Sequence, residues 1–254
     1  MGILDGKVAI VTGAGQGVGK GIAEALAEAG ATLMLSGRTL SKVEKVAAEL
    51  AAKGTRVKAI HADVMKAEDI ESNVAQTVEA FGGVDILINN AQTVYTTIPL
   101  LETTDQMFDE MYQSGPLASF RYMKACHPHM KQRGGGAIVN FATASSQRWD
   151  MAGYGPYAGV KQCIRSLTRA AAAEWGKDNI RINTIAPYSL TPALEEWIKF
   201  APEDAKKITS EVALGRIGDP KDDIGRAVVF LVGPDSHYLT GSTMPLDGGM
   251  ANFG

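Results

Sequence analysis

Tyr157 and Lys161 stand four residues apart in Tyr157-Ala158-Gly159-Val160-Lys161. In a helix that spacing sets a phenol and an ammonium on one face, one turn apart. A phenol of ordinary pKa near 10 keeps its proton at neutral pH, and half-ionising it there takes a fall of about three units, roughly 4 kcal/mol. One nearby cation supplies about one to three units. Pro156 is favoured in the first turn of a helix, which brings Tyr157 near the positive end of the helix dipole and adds to the effect. Such a pair suits a general acid/base. Pairs of this kind also arise by chance on amphipathic helices, so the chemistry needs a second site beside it.

That second site is Thr12-Gly13-Ala14-Gly15-Gln16-Gly17-Val18-Gly19, which follows the apolar run Lys7-Val8-Ala9-Ile10-Val11 and precedes a helical pattern from Lys20 to Ala29. Strand, tight turn and helix succeed one another. Glycines let backbone approach a ligand closely, and the helix start offers unpaired N–H groups and a positive dipole end to an anion such as a pyrophosphate. The G-x-G-x-x-G fingerprint does not fit, because positions 18 and 20 are Val18 and Lys20. T-G-x-x-x-G-x-G does. With Tyr157 and Lys161, this spacing resembles the short-chain dehydrogenase/reductase family.

The resemblance implies an oxidoreductase that interconverts a ketone and a secondary alcohol with a nicotinamide cofactor and no metal. Tyr157 then exchanges a proton with the substrate oxygen, and Lys161 lowers its pKa and holds the nicotinamide ribose. The third member falls on Thr143, three residues after Asn140, with Ser145 as its rival. Gly13, Gly15, Gln16, Gly17, Val18 and Gly19 would cradle the cofactor. Asp63 and Val64 look like the family's pair on the adenine ring, although Asp63 also suits a helix cap. Asn90 and Ala91 belong to Asn89-Asn90-Ala91-Gln92, similar to Asn-Asn-Ala-Gly with Gln92 in place of the last glycine; the Asn side chains are suited to pinning backbone. Pro187 and Thr191 would meet the nicotinamide end, with Tyr188 where the family has glycine. Leu214-Gly215-Arg216-Ile217-Gly218 and Leu246-Asp247-Gly248-Gly249 extend the likeness over nearly the whole chain.

Strand two ends in Leu35-Ser36-Gly37-Arg38. An acidic residue there would bind a ribose 2′-hydroxyl, whereas Gly37 and Arg38 suit a 2′-phosphate, so NADP(H) is favoured and NAD(H) stays possible. The basic residue many NADP enzymes of the family carry before the second motif glycine is replaced by Gln16. The largest departure is Gly115-Pro116, where the family usually has an Asn holding a water beneath the lysine. Gly-Pro is expected to break or kink the helix, leaving Ser114 or a backbone carbonyl to stand in.

The elements that must position these groups follow from periodicity. Apolar β-branched runs predict strands at 7 to 12, 31 to 36, 56 to 61, 84 to 89, 136 to 142, 180 to 186 and 243 to 246. Helical patterns lie between them at 18 to 29, 41 to 53, 67 to 81, 104 to 132 with a break, 155 to 176 and 220 to 232. Ser41-Lys42-Val43-Glu44 reads as a capping box, and Gly54 as the end of that helix. The alternation predicts an α/β fold, a doubly wound Rossmann-type parallel sheet of about seven strands with helices on both faces. Its ligands bind beyond the carboxyl ends of the strands. One domain over 1–254 is expected, with an apolar lid at about 188–211 containing Trp197, Ile198 and Phe200.

With 254 residues, 45% of them hydrophobic, and no apolar run of about 18, the chain can bury a substantial core and offers no membrane span. A formal charge of -3 without basic blocks argues against nucleic acid or an anionic membrane as partner. Met1-Gly2-Ile3-Leu4-Asp5-Gly6 lacks the regions of a signal peptide, so the cytoplasm is the expected compartment. Cys126 and Cys163 form no spaced set and read as free thiols; Cys126-His127-Pro128-His129 finds no second ligand cluster. The family commonly forms tetramers through the 104 to 132 and 155 to 176 helices, so a homotetramer or homodimer acting on a small carbonyl or alcohol is implied.

Overall fold

Seven β-branched runs form seven parallel strands in the order β3-β2-β1-β4-β5-β6-β7. They are β1 (Val8–Thr12), β2 (Thr32–Gly37), β3 (Val57–His61), β4 (Ile86–Asn89), β5 (Gly136–Phe141), β6 (Ile180–Pro187) and β7 (Thr243–Leu246). The computed structural model describes residues 2–147 and 152–251. The two ends of the expected 1–254 domain therefore lie outside the described residues.

Helices α1 (Gly17–Glu28), α2 (Leu40–Ala51) and α9 (Arg226–Val232) cover one face, and α3 (Ala67–Phe81), α5 (Ala118–Gln132) and α6 (Gly155–Trp175) the other. Successive strand side chains alternate between the two cores. Val11, Leu35 and Ile88 pack under Ile22, Leu26 and Val228 on the first face. Ile10, Met34 and Leu87 pack under Ile70, Tyr122 and Met123 on the second. The doubly wound architecture expected from the sequence is the one observed, as a single domain. Among the described residues no helix is long and apolar enough to cross a membrane.

β1 and β4 are neighbours although β2 and β3 intervene in sequence, so the chain leaves them toward different sides and a crevice opens at their carboxyl ends. The amino ends of the central strands are tied by Asp85, only 3% exposed. Its carboxylate accepts from the Val8 N–H at 2.8 Å and from Arg133 Nε at 2.8 Å.

Three local expectations are corrected. The helix at 41 begins earlier, at Leu40, because the Thr39 carbonyl already accepts from the N–H groups of Lys42 and Val43, and no side-chain cap is made. The Gly115-Pro116 break is instead a π-turn over Gln113–Leu117 joining α4 (Asp105–Tyr112) to α5. Pro116 has no N–H for the carbonyl four residues back, and a wider turn carries the helix through without ending it. A second π-turn at Pro220–Gly225 precedes α9, where the backbone of Gly21 on α1 comes against Pro220. The segment expected to form a lid contains two short helices, α7 (Pro192–Phe200) and α8 (Pro202–Ser210), each begun by a proline in its first turn.

Candidate active site

The crevice between β1 and β4 is a cleft of about 440 Å³. Gly13, Gly15, Gln16, Gly17 and Val18 line one wall, Arg38, Asp63 and Val64 a second, and Asn90, Ala91 and Thr191 a third. Gln16 precedes α1 in an extended conformation and makes no side-chain cap, and the first turn carries no acidic residue. The helix start is therefore open to an anion. A Cβ on Gly13 would lie 2.8 Å from Asn90 Nδ2, and one on Gly19 would strike the Gly13 carbonyl. Gly19 thus acts by packing and is not among the lining residues, nor is Pro187.

Asn90 holds this turn in shape. Its Nδ2 donates to the carbonyls of Thr12 and Gly13 at 2.9 and 3.1 Å, while Thr12 Oγ1 accepts from the N–H groups of Asn90 and Ala91, both at 3.0 Å. Asn89 donates to Asn140 Oδ1 at 2.8 Å, and Asn140 donates to Thr168 Oγ1 on α6 at 2.9 Å. Asp63 does not cap α3, whose N-cap is Lys66; its Oδ1 accepts from the Met65 N–H at 3.0 Å.

Lys42, which the sequence reading passed over, also lines the cleft and donates to Gln16 Oε1 at 2.8 Å. Its signal was the spacing of four from Arg38 at the opening of α2. Arg38 is exposed, and its charge reaches Glu110, whose carboxylate accepts from the Tyr95 hydroxyl at 2.6 Å.

Tyr157, Lys161 and Thr143 meet beside the cleft and are not among its lining residues. Thr143, 8% exposed just after β5, lies close enough to the Tyr157 phenol to favour its ionised form, and its Oγ1 accepts from the Ser145 N–H at 3.2 Å. Ser145 itself makes no such contact with Tyr157 among the described residues. Lys161 Nζ sits over the Tyr157 ring, 5.6 Å from its centroid. Burial pushes the Tyr157 phenol up to about 12, against a smaller lowering by Thr143 and a further rise from Tyr154. Burial alone brings the Lys161 ammonium down to about 7. In the cofactor-free chain burial is therefore the largest influence on both groups. A cation above a ring, itself desolvated, loses to the cost of charging an enclosed phenol.

Gly115 and Gln92 explain each other. A Cβ at 115 would lie 2.5 Å from Gln92 Nε2, so the Gln92 amide fills the space a side chain would take. Gln92 Nε2 donates to the Met111 carbonyl at 3.3 Å, and Oε1 is buried without a partner among the described residues. Ser114, considered as a stand-in, has its one donor committed: its hydroxyl donates to the Glu110 carbonyl at 2.6 Å and also accepts from the Thr93 N–H at 3.0 Å. Ser189 Oγ, after β6, is likewise buried without a partner.

The histidine-cysteine cluster on α5 has other work. His127 pairs with Asp178 at 3.0 Å and stacks on Trp175, and Cys126 is fully buried. Among the described residues no group of three His, Cys, Asp or Glu is placed to hold a metal.

A family model described as enoyl-(acyl carrier protein) reductase matches residues 13–251. The chain is 42% identical to a 12α-hydroxysteroid dehydrogenase of Clostridium sp., covering 98% of both. It is 36% identical to dehydrogenase/reductase SDR family member 4 of Caenorhabditis elegans, over 97% of this chain and 95% of that one. It superimposes with a TM-score of 0.91 on a 7α-hydroxysteroid dehydrogenase solved with NADH and 7-oxo glycochenodeoxycholic acid, 30% identical, over 99% of this chain and 97% of that one. The chain belongs to the short-chain dehydrogenase/reductase family. It is an oxidoreductase acting on CH–OH groups with a nicotinamide cofactor.

The cleft of this short-chain dehydrogenase/reductase fits that cofactor on its own observations. An uncapped helix start and a turn with glycine at 13, 15 and 17 suit a pyrophosphate, and Asp63 keeps one carboxylate oxygen free of hydrogen bonds among the described residues. Orphaned Ser189 Oγ and Gln92 Oε1 follow the carboxyl ends of β6 and β4, where such a ligand binds. Thr191 lies over the glycine turn, with Cγ2 3.6 Å from where a Gly17 Cβ would stand, and its Oγ1 caps α7 by accepting from the Leu194 N–H at 3.2 Å.

Proposed function

We propose that this enzyme prefers NADP(H) and interconverts a ketone and a secondary alcohol, with Tyr157 as its general acid/base. The observation that carries the reading is the meeting of the Thr143 hydroxyl and the Tyr157 phenol, with Lys161 above the ring. Bound cofactor would supply or accept the hydride. Tyr157 holds its proton at neutral pH and is the group that gives it to a carbonyl oxygen, while the Thr143 hydroxyl donates to the same oxygen. Lys161 lies within cation–π range of the phenol ring and, when charged, favours the phenolate formed as the proton leaves.

Arg38 and Lys42 support the NADP preference, because together they offer two cations at the cleft wall where strand two ends. Residues Gly13, Gly15, Gln16, Gly17, Val18 and Gly19 shape the pyrophosphate site, with Asp63, Val64, Asn90 and Ala91 on the adenosine side and Pro187 and Thr191 at the nicotinamide end. Two relatives are named as hydroxysteroid dehydrogenases, which supports a bulky alicyclic alcohol as substrate class. The lid agrees: α7 buries no residue and leaves Phe200 87% exposed, so an apolar substrate has something to draw closed. Phe108, Tyr112 and Phe120 along α4 and α5 are exposed, which supports assembly with identical copies.

The test is to follow reduced-nicotinamide absorbance with NADPH and NADH against hydroxysteroids, their ketones and small acyclic ketones. Turnover of the alicyclic set with NADPH is expected. A cofactor-binding protein with little turnover is the second reading, favoured by the departures at Gly115, Gln92 and Tyr188; binding of NADPH without turnover across the panel would establish it.

A further inference from the structure

We propose that Glu110 is a positioning residue for the substrate, its carboxylate gripping the Tyr95 hydroxyl so that segment 93–97 presents Val94 to a bulky ketone lying between the cofactor cleft and Tyr157. The inference rests on the proposed ketone chemistry at Tyr157. Thr93 and Val94 line the cleft, and Val94 is 47% exposed. At its far end the same segment reaches the residues that lead into α6. A Cβ on Gly153 would lie 2.7 Å from Thr97 Cα, and Leu100 Cδ1 lies 3.7 Å from where a Gly155 Cβ would stand. Tyr157 follows two residues on. The segment therefore runs from the cofactor wall to the reacting phenol, and a ketone wide enough to touch both lies along it. A half-exposed valine there suits the apolar face of an alicyclic ring.

Regular secondary structure does not hold this segment. Residues 93–98 make no backbone-to-backbone hydrogen bond among the described residues, and Thr97 sits at a φ of 61°, where a β-branched residue is strained. Groups on α4 and the π-turn after it hold the segment instead, and two of the ties end on Glu110. The Thr93 N–H donates to Ser114 Oγ at 3.0 Å, and that hydroxyl donates to the Glu110 carbonyl at 2.6 Å. The Tyr95 hydroxyl donates to Glu110 Oε2 at 2.6 Å, the short distance of a charge-assisted bond. Gln106 Nε2 donates to the other oxygen at 2.9 Å and fixes the carboxylate's orientation. Tyr95, then Gln106, and the charge of Arg38 hold the Glu110 carboxyl below the usual carboxylate range, so it is ionised at neutral pH. With its hydroxyl drawn to α4, Tyr95 is not among the lining residues of the cleft, and its neighbour Val94 is.

The test is steady-state kinetics at saturating NADPH, with a 12-ketosteroid as the bulky ketone and butanone as the small one, beside thermal unfolding and NADPH titration. Tyr95→Phe and Glu110→Leu each break the grip and are expected to raise KM for the ketosteroid about 10-fold. Thr93 stays tied through Ser114, so kcat, NADPH affinity and KM for butanone are expected to stay within about threefold. The double variant should be no worse than either single one, because both remove the same bond. Glu110→Gln keeps an oxygen that accepts from Tyr95 and should recover most of the wild-type KM. An unchanged ketosteroid KM in well-folded Tyr95→Phe and Glu110→Leu overturns the proposal. So does a loss shared equally by the two ketones, which a merely structural tie would give. Should Glu110→Leu fold poorly, Tyr95→Phe decides, since it removes one hydroxyl and keeps the ring. A wild-type chain that binds the ketosteroid beside NADPH without turning it over rejects the proposed function alone; the variants are then compared by calorimetric binding of the ketosteroid, and equal binding overturns this proposal. Failure of the wild type to bind either ketone rejects both.

Discussion

Lys42 Nζ lies 2.8 Å from Gln16 Oε1, bridging the first turn of α2 to the residue that precedes α1. The bridge brings a second cation to the wall that carries Arg38. If that wall reads a 2′-phosphate, Arg38→Ser and Lys42→Ala should each weaken NADPH binding by about 10- to 100-fold, the worth of one charge-assisted hydrogen bond, with NADH nearly unchanged. Titration of both cofactors by fluorescence checks this. Equal losses for the two would remove both residues from phosphate recognition.

Tyr157→Phe removes the phenol proton and keeps the ring under Lys161. Turnover should fall by about 10²- to 10⁴-fold while NADPH affinity is largely kept. Steady-state kinetics beside direct cofactor titration separates the two effects, and unchanged turnover would take Tyr157 out of the mechanism.

The pH dependence follows from where the protons sit. Tyr157 keeps its proton up to about 12, so ketone reduction should not lose its acid through phenol ionisation below strongly alkaline pH. Alcohol oxidation, which needs the phenolate, should rise with pH throughout that range. The change near 7 belongs to Lys161, and Lys161→Met should abolish it in both directions. Profiles of kcat measured in both directions decide the point.

Lys161 also bears on stability. Its folded pKa is below the unfolded value, so the unfolded chain binds more protons between about 7 and 10.5 and stability should rise with pH across that window. Below it the penalty is complete, and Lys161→Met should raise Tm at neutral pH by several degrees while turnover is lowered but measurable. Thermal unfolding of both proteins at a series of pH values tests this; a lower Tm for the variant would contradict it.

At the amino ends of the central strands, Arg133→Ala should strand the Asp85 carboxylate, which is 3% exposed and bound by Arg133 Nε at 2.8 Å. A loss of about 2 to 4 kcal/mol is expected, moderated because Lys7 also approaches Asp85 at 3.8 Å. Denaturant unfolding measures it. NADPH affinity should stay within about twofold, since the cleft is at the other end of the strands.

Most of the strand and helix pattern was legible because period and composition speak for buried parallel strands and amphipathic helices wherever those segments sit. The helix at 67 to 81 and the strand at 243 to 246 fall where periodicity put them. Less regular segments were silent: α7 and α8 are nine residues each and bury little, and the π-turns at Gln113–Leu117 and Pro220–Gly225 depend on packing against other parts of the chain.

From residue types and spacing alone came the doubly wound sheet, the anion-binding turn at Thr12 to Gly19, and the pairing of Tyr157 with Lys161, because each is written within a few neighbouring positions. Tertiary structure decided what depends on residues far apart in sequence. It put Lys42 against Gln16, set the Gln92 amide into the space over Gly115, brought Thr143 near the Tyr157 phenol, and buried Lys161 so that desolvation lowers its pKa. Spacing can say which groups share a helix face, but desolvation depends on everything that closes around them.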